Sequence, residues 1–130
     1  VRFYIATKFE LKDEVKRMIV ELTEKGHTVS YDWTDHVPSK PYSKNHTLAS
    51  DHAIVDANGV LECDVFILLS AKEKGAGYST ELGLALAANL IRNTPAIYVL
   101  GEHLDGNMFY FHPNVKRVNT LDELLSHIKN

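Results

Sequence analysis

The chain has 130 residues, 45% of them hydrophobic and 24% charged, with a formal net charge of −3. That length suits one domain with its own core, and the composition excludes a wholly disordered chain. The acidic balance argues against an unspecific nucleic-acid binder, which needs a basic excess to neutralise phosphates, although Lys40 to Lys44 can still meet a single phosphate.

Arg2 to Ala6 is short, apolar and rich in strand formers, and is predicted as the first strand. From Leu11 to Lys25 the residues Leu11, Val15, Met18, Ile19 and Leu22 share one helical face, and Gly26 supplies the C-terminal stop. His27 to Tyr31 is predicted as a second strand. The polar stretch after it, with Pro38 and Pro41, is predicted as a mobile loop. His46 to Glu62 is predicted as a helix. Cys63 follows it; this lone cysteine has no partner for a disulfide or thiolate cluster and reads as a packed thiol in a reducing compartment.

Asp64 to Ser70 contains Val65-Phe66-Ile67-Leu68-Leu69, a continuous apolar run that suits a strand buried on both faces. A Gly75-Ala76-Gly77 loop then leads into an Ala/Leu-rich helix from about Ser79 to Arg92. Ala96 to Leu100 is another apolar strand, and Val115 to Val118 a short edge strand. Thr120 to Lys129 is a final amphipathic helix, with Thr120 as N-cap and Glu123 at the capping-box position.

Strands alternating with helices indicate an α/β three-layer sandwich around a five-stranded parallel sheet, in one domain over residues 1–130. In such sheets ligands bind beyond the carboxyl ends of the strands. The loops to watch therefore follow Ala6, Tyr31, Ser70 and Leu100. No apolar run approaches the ~20 residues of a membrane helix, and no signal-peptide pattern opens the chain. A cytoplasmic location is expected.

The segment from Ser70 to Gly83 carries the strongest chemical signal. Its glycines let the backbone approach a ligand closely. Ser79 or Thr80 can cap the helix, which would put Glu81 in its first turn, where the helix dipole favours an ionised carboxylate. A glycosidic nucleophile must be such a carboxylate. On pattern alone Glu81 is also explained as a favourable helix start. Asp56 and Asp64 form a second pair of candidates: a carboxylate at 56 can orient a sugar hydroxyl or hold a proton for a departing base, whereas Asp64 suits a turn or cap. Tyr4 alternates as a core residue, yet its phenol can reach a nucleophilic carboxylate. Thr7, Lys8 and Phe9 can offer backbone N–H groups and an ammonium to an anion.

The seven histidines show no metal-binding spacing. Asp32, Asp35 and His36 read as a solvated loop cluster, and neither a metal nor a cofactor is expected. Phe109-Tyr110-Phe111, with His112-Pro113, suits core, a surface for a base to stack on, or a subunit interface, and the interface is favoured because so many aromatics in a loop need cover.

Three segments coincide: Phe3-Tyr4-Ile5-Ala6; Asp56 ahead of Val60-Leu61-Glu62-Cys63-Asp64-Val65-Phe66-Ile67; and Gly77-Tyr78-Ser79-Thr80-Glu81-Leu82-Gly83-Leu84-Ala85. Together they resemble the nucleoside 2-deoxyribosyltransferase family, which includes the 2′-deoxynucleoside 5′-monophosphate N-glycosidases. The resemblance spans nearly the whole chain. It implies a flavodoxin-like, Rossmann-like sandwich in which Glu81 attacks the anomeric carbon. Asp56 would be the acid/base that also contacts the sugar, and Tyr4 would hydrogen-bond the nucleophile. Ala6, Thr7, Lys8, Phe9, Gly75, Gly77 and Ser79 would bind substrate. In the family a polar residue of a neighbouring subunit enters the site after the fourth strand; Asn107 is the nearest match, which implies at least a dimer.

The chain departs from the phosphate-binding glycosidases in two places. Ala6-Thr7-Lys8 stands for their Gly-Ser stretch, and Lys74-Gly75 for a serine before the catalytic loop. Lysines can replace hydroxyls as phosphate ligands. The implied activity is cleavage or transfer of the N-glycosidic bond of a (deoxy)nucleoside or its 5′-monophosphate, in nucleotide salvage, with the short length favouring a hydrolase over a transferase. The partner is then a small nucleoside or nucleotide, not a nucleic-acid polymer or a membrane. The alternatives are a non-catalytic nucleotide-binding or sensing module, a phosphoribohydrolase of the cytokinin-activating kind, and a protein-interaction domain of the same form. The first strand's loop lacks the Ser/Thr/Gly run of an FMN-binding flavodoxin.

Overall fold

The computed structural model describes residues 1–73 and 75–128. Lys74, one candidate phosphate ligand, and Lys129, the expected end of the last helix, lie outside them.

The strands are β1 (Arg2–Ala6), β2 (Thr28–Val29), β3 (Val65–Leu69), β4 (Ala96–Leu100) and β5 (Val115–Val118). The helices are α1 (Lys12–Glu24), α2 (His46–Glu62), α3 (Ala76–Arg92) and α4 (Leu121–Ser126). All strands are parallel, in the order β2-β1-β3-β4-β5. That is the flavodoxin-like order, whose reversal falls between β1 and β3. The expected α/β sandwich with a five-stranded parallel sheet is therefore the observed fold.

β3, β4 and the part of β1 after Arg2 are apolar because both their faces are covered; Phe3 to Ala6 and Val65 to Leu68 are all buried. Alternation divides the faces. Tyr4 and Phe66 are register partners whose rings stack, and Tyr4 packs on Gly59 of α2, so this face lies under α2 and α3. Ile67 and Tyr98 point the other way, where Tyr98 meets His127 just past α4.

Most element ends match the sequence expectation, and the differences have local causes. Gly26 adopts φ +87, the left-handed turn that stops α1. β2 is shorter than expected because the chain leaves the sheet edge at once. The Ser30 hydroxyl donates to the Gly59 carbonyl at 2.6 Å, and Tyr31 packs over Gly59. Trp33 is buried and donates from Nε1 to the Ile5 carbonyl, so the base of the following loop is pinned to β1. α3 starts three residues early, at Ala76, with Gly75 as its cap. Thr120 accepts from Glu123 N as expected of an N-cap, while Glu123 reaches back to Asn119 N.

Candidate active site

Three elements meet on the α2/α3 face of the sheet. β1 contributes Tyr4, α2 contributes Asp56 and α3 contributes Glu81. The Tyr4 hydroxyl donates a hydrogen bond to Glu81 Oε2. Gly59, three residues beyond Asp56, makes this approach feasible. A Cβ there would lie 2.9 Å from the Tyr4 ring and 2.8 Å from Tyr31 Cβ. Only a glycine lets α2 come so close to β1.

Glu81 stands in the second turn of α3, not the first, because Ser79 and Thr80 are inside the helix. Their hydroxyls donate back to the carbonyls of Gly75 and Ala76 and cap nothing. The helix dipole thus does little for Glu81, since its effect fades beyond the terminal turn. Burial instead pushes the Glu81 carboxyl up to about 7, further raised by the Asp56 charge and opposed by the Tyr4 hydrogen bond. Burial also pushes Asp56 up to about 6. Tyr4 is raised well above the ordinary phenol range, by burial first and then by Glu81 and Asp56, so it acts only as a donor. Two carboxyls pushed up towards neutrality by burial, one of them under a fixed phenol, are chemically suited to acid/base work.

The loop after β2 supplies a part of the site that pattern reading put in solvent. His36 Nε2 lies 2.6 Å from Tyr31 Oη and 3.9 Å from Asp56 Oδ1. Its ring stacks on His52 of α2. The other members of that loop cluster are elsewhere: Asp32 accepts from Thr34, and Asp35 pairs with Lys16. Period-two and helical patterns cannot place a loop side chain. The usable signal was positional, since this loop leaves the carboxyl end of a strand.

Of the remaining sequence candidates among the described residues, only Lys8, Ser79 and Asn107 line a cleft. Ala6 is buried in the sheet, and the Thr7 hydroxyl donates to the Leu69 carbonyl. Lys8 is neutralised by an ion pair with Glu73. Phe9 is part-exposed beside Trp33. Gly75 is needed by the protein itself, because a Cβ there would lie 2.3 Å from the Tyr78 ring; Gly77 faces open space. Ser79 and Asn107 line a cleft of about 310 Å³ between the loops after β3 and β4, with Lys72 and His103. Asn107 Oδ1 caps the single turn Met108–Phe111 by accepting from Phe109 N. A second cleft of about 300 Å³ includes Lys8 and Ser70. Neither cleft takes in Glu81 or Asp56.

Asp64 is at the opposite, amino end of β3, where it accepts from Arg2 N. Cys63 is buried with its thiol pushed up to about 12, mainly by burial, which leaves it inert at neutral pH. Among the described residues no group of three or more His, Cys, Asp or Glu side chains is placed to hold a metal ion. No described helix is long and apolar enough to cross a membrane.

No family model matches the chain, and no curated protein shows significant similarity to it. Among solved structures, it is similar to the CMP N-glycosidase BcmB of Clostridium botulinum. The two are 22% identical over 98% of this chain and 97% of that one, with a TM-score of 0.64. At that identity the likeness is one of fold, and it agrees with the α/β sandwich described above.

Proposed function

We propose that this protein cleaves the N-glycosidic bond of a nucleoside or nucleotide through a covalent glycosyl ester of Glu81. The observation that carries the reading is the Tyr4–Glu81 hydrogen bond beside the half-buried Asp56. The similar fold of a CMP N-glycosidase supports it and favours a nucleotide as substrate.

In the first step Glu81, ionised, attacks the anomeric carbon with the oxygen not held by Tyr4. The bond from that carbon to the base nitrogen breaks, and Asp56 gives its proton to the departing base. In the second step Asp56, now a carboxylate, takes a proton from water as the water oxygen attacks the same carbon. The ester bond breaks and Glu81 returns as a carboxylate. This is the two-step course of retaining glycosidases applied to an N-glycoside. A second base in place of water makes the reaction a transfer. The amino end of α3, with Gly77 in open space, is where a 5′-phosphate would be met by free backbone N–H groups.

The same reading includes a homodimer. Ile54 and Leu61 of α2, two turns apart, and Leu90 and Ile91 near the end of α3 are exposed. The Arg92 guanidinium donates to the Leu61 carbonyl and holds the ends of these helices together. Met108, Phe109 and Phe111 add exposed apolar surface beside Asn107, while Tyr110 turns inward.

The deciding experiment is chromatography of base release from ribo- and deoxynucleosides and their 5′-monophosphates, with wild type beside Glu81→Ala. Release that depends on Glu81 supports the reading, and exchange only with an added base makes the enzyme a transferase. Binding without release, at enzyme levels that reveal a single turnover, replaces it with a nucleotide-binding module.

A further inference from the structure

Asp56 has two faces. One acts on Glu81 and Tyr4, both of which its charge pushes up. The other is Oδ1, which is buried and has no hydrogen-bond partner among the described residues. A buried carboxyl oxygen is expected to have a donor. The side chain facing this one is His36, whose Nε2 lies 3.9 Å away.

Nothing about His36 suggests a casual surface residue. Its ring is parallel to that of His52 within 7°, at a centroid separation of 3.8 Å. The same Nε2 that faces Asp56 is 2.6 Å from Tyr31 Oη. The backbone of its loop is anchored by Trp33 on Ile5, and Tyr31 is seated on Gly59. One nitrogen thus stands between two oxygens, one bonded and one waiting.

We propose that His36 and Asp56 hold one proton between them, and that the Tyr31 hydroxyl sets on which side it rests. In one state Asp56 carries the proton, and neutral His36, protonated at Nδ1, accepts from Tyr31. In the other Asp56 has released that proton to solvent and Nε2 has taken one up from solvent, so that an imidazolium faces a carboxylate. Net charge is the same in both. His36 is therefore a positioning residue that sets how firmly Asp56 holds its proton, and its effect on turnover rests on the N-glycosidase reading. The sharing itself does not.

The surroundings suit such an exchange. His36 is pushed down by burial and then by His52, with Asp32 pulling the other way. Asp56 is pushed up to about 6 by burial. The two proton affinities therefore converge. Tyr31 is raised by burial, Asp56 and Asp32, so it keeps its own proton throughout.

The test is an NMR titration of imidazole-labelled protein without ligand, with the His36 signal assigned by its loss in His36→Gln. Asp56→Asn removes the charge that favours the imidazolium, so the His36 midpoint should fall by about one unit. Tyr31→Phe removes the donor that favours neutral His36, so the midpoint should rise. A purely structural role does not produce shifts of opposite sign. Asp56→Glu should restore the midpoint towards wild type. No movement in Asp56→Asn, or the same direction in both variants, overturns the proposal. If Asp56→Asn does not fold, a Tyr31→Phe midpoint that is unchanged or lower overturns it alone. In base release, His36→Gln should move the alkaline limb of the pH profile upward, because Asp56 loses the partner that favours its ionised form. Coupled titrations without turnover would sink the N-glycosidase reading and leave this one standing. Turnover with uncoupled titrations would do the reverse.

Discussion

The hydroxyl of Tyr4, in the first strand, donates to the carboxylate of Glu81, in the second turn of α3, across 77 residues of chain. Tyr4 is fully buried, and its ring is held between Phe66 and Gly59. A rigid donor therefore meets a carboxyl that burial would otherwise keep protonated. This bond favours the ionised form, and a charge-assisted bond of this kind contributes about 1.5–3 kcal/mol.

Tyr4→Phe keeps the ring and removes only the donor. Glu81 should then hold its proton to higher pH, and base release near neutrality should fall about 10–100-fold. The acid limb of the rate profile should move upward while the melting temperature changes little. Rate profiles and melts of the two proteins check this.

Removing the Glu81 charge should stabilise the fold while abolishing turnover. The folded carboxyl is raised to about 7 from its ordinary 4.5. Its protonated form is thus favoured in the folded state, and stability is lost as pH rises from the unfolded value through the folded one. Glu81→Gln should match wild type below about pH 4.5, gain on it towards pH 7, and hold a constant advantage above that, of order 3 kcal/mol at most. Urea unfolding at pH 5 and pH 8 measures the difference, and an advantage that does not grow with pH would count against the buried charge.

The pair Asp56 and Glu81 should give kcat/KM a bell-shaped dependence, with its maximum between about 6 and 7. The working form has Glu81 ionised and Asp56 protonated. Asp56→Asn should lose about 10²–10⁴-fold and flatten the alkaline limb. A pH profile of each protein on one substrate decides it.

Gly59→Ala and Gly83→Ala should move stability in opposite directions. A Cβ at 59 meets the Tyr4 ring and Tyr31 within 3 Å, and one at 83 meets nothing within 4 Å. Crowding at 59 should cost about 1–3 kcal/mol and displace Tyr4, lowering activity. In the open position, alanine should gain up to about 1 kcal/mol through helix propensity. Thermal melts and base release on both variants give the comparison.

The proposed dimer rests on uncovered apolar residues of α2 and α3. Ile54→Lys or Ile91→Glu should yield a monomer in sedimentation without unfolding it, because both side chains are exposed in the single chain. A wild type that sediments as a monomer at high concentration removes the dimer from the reading.

Sequence alone determined the architecture here, because the fold depends on patterns a single chain carries. Apolar runs at Val65 to Leu69 and Ala96 to Leu100 state that both sheet faces are covered, and the helical spacings between strands state what covers them. Glu81, Asp56 and Tyr4 each had a structural explanation on pattern alone, and only the family resemblance singled them out together. What tertiary structure decided was the state of these groups. Dipole stabilisation of Glu81 was inferred from a helix start three residues late, whereas burial between β1, α2 and α3 pushes its carboxyl the opposite way. Lys8 meets Glu73 only because two loops converge, and His36 reaches Asp56 only because Trp33 and Gly59 bring its loop against the sheet and α2. Desolvation and cross-chain proximity are properties of the packed molecule, so no local pattern along the sequence can express them.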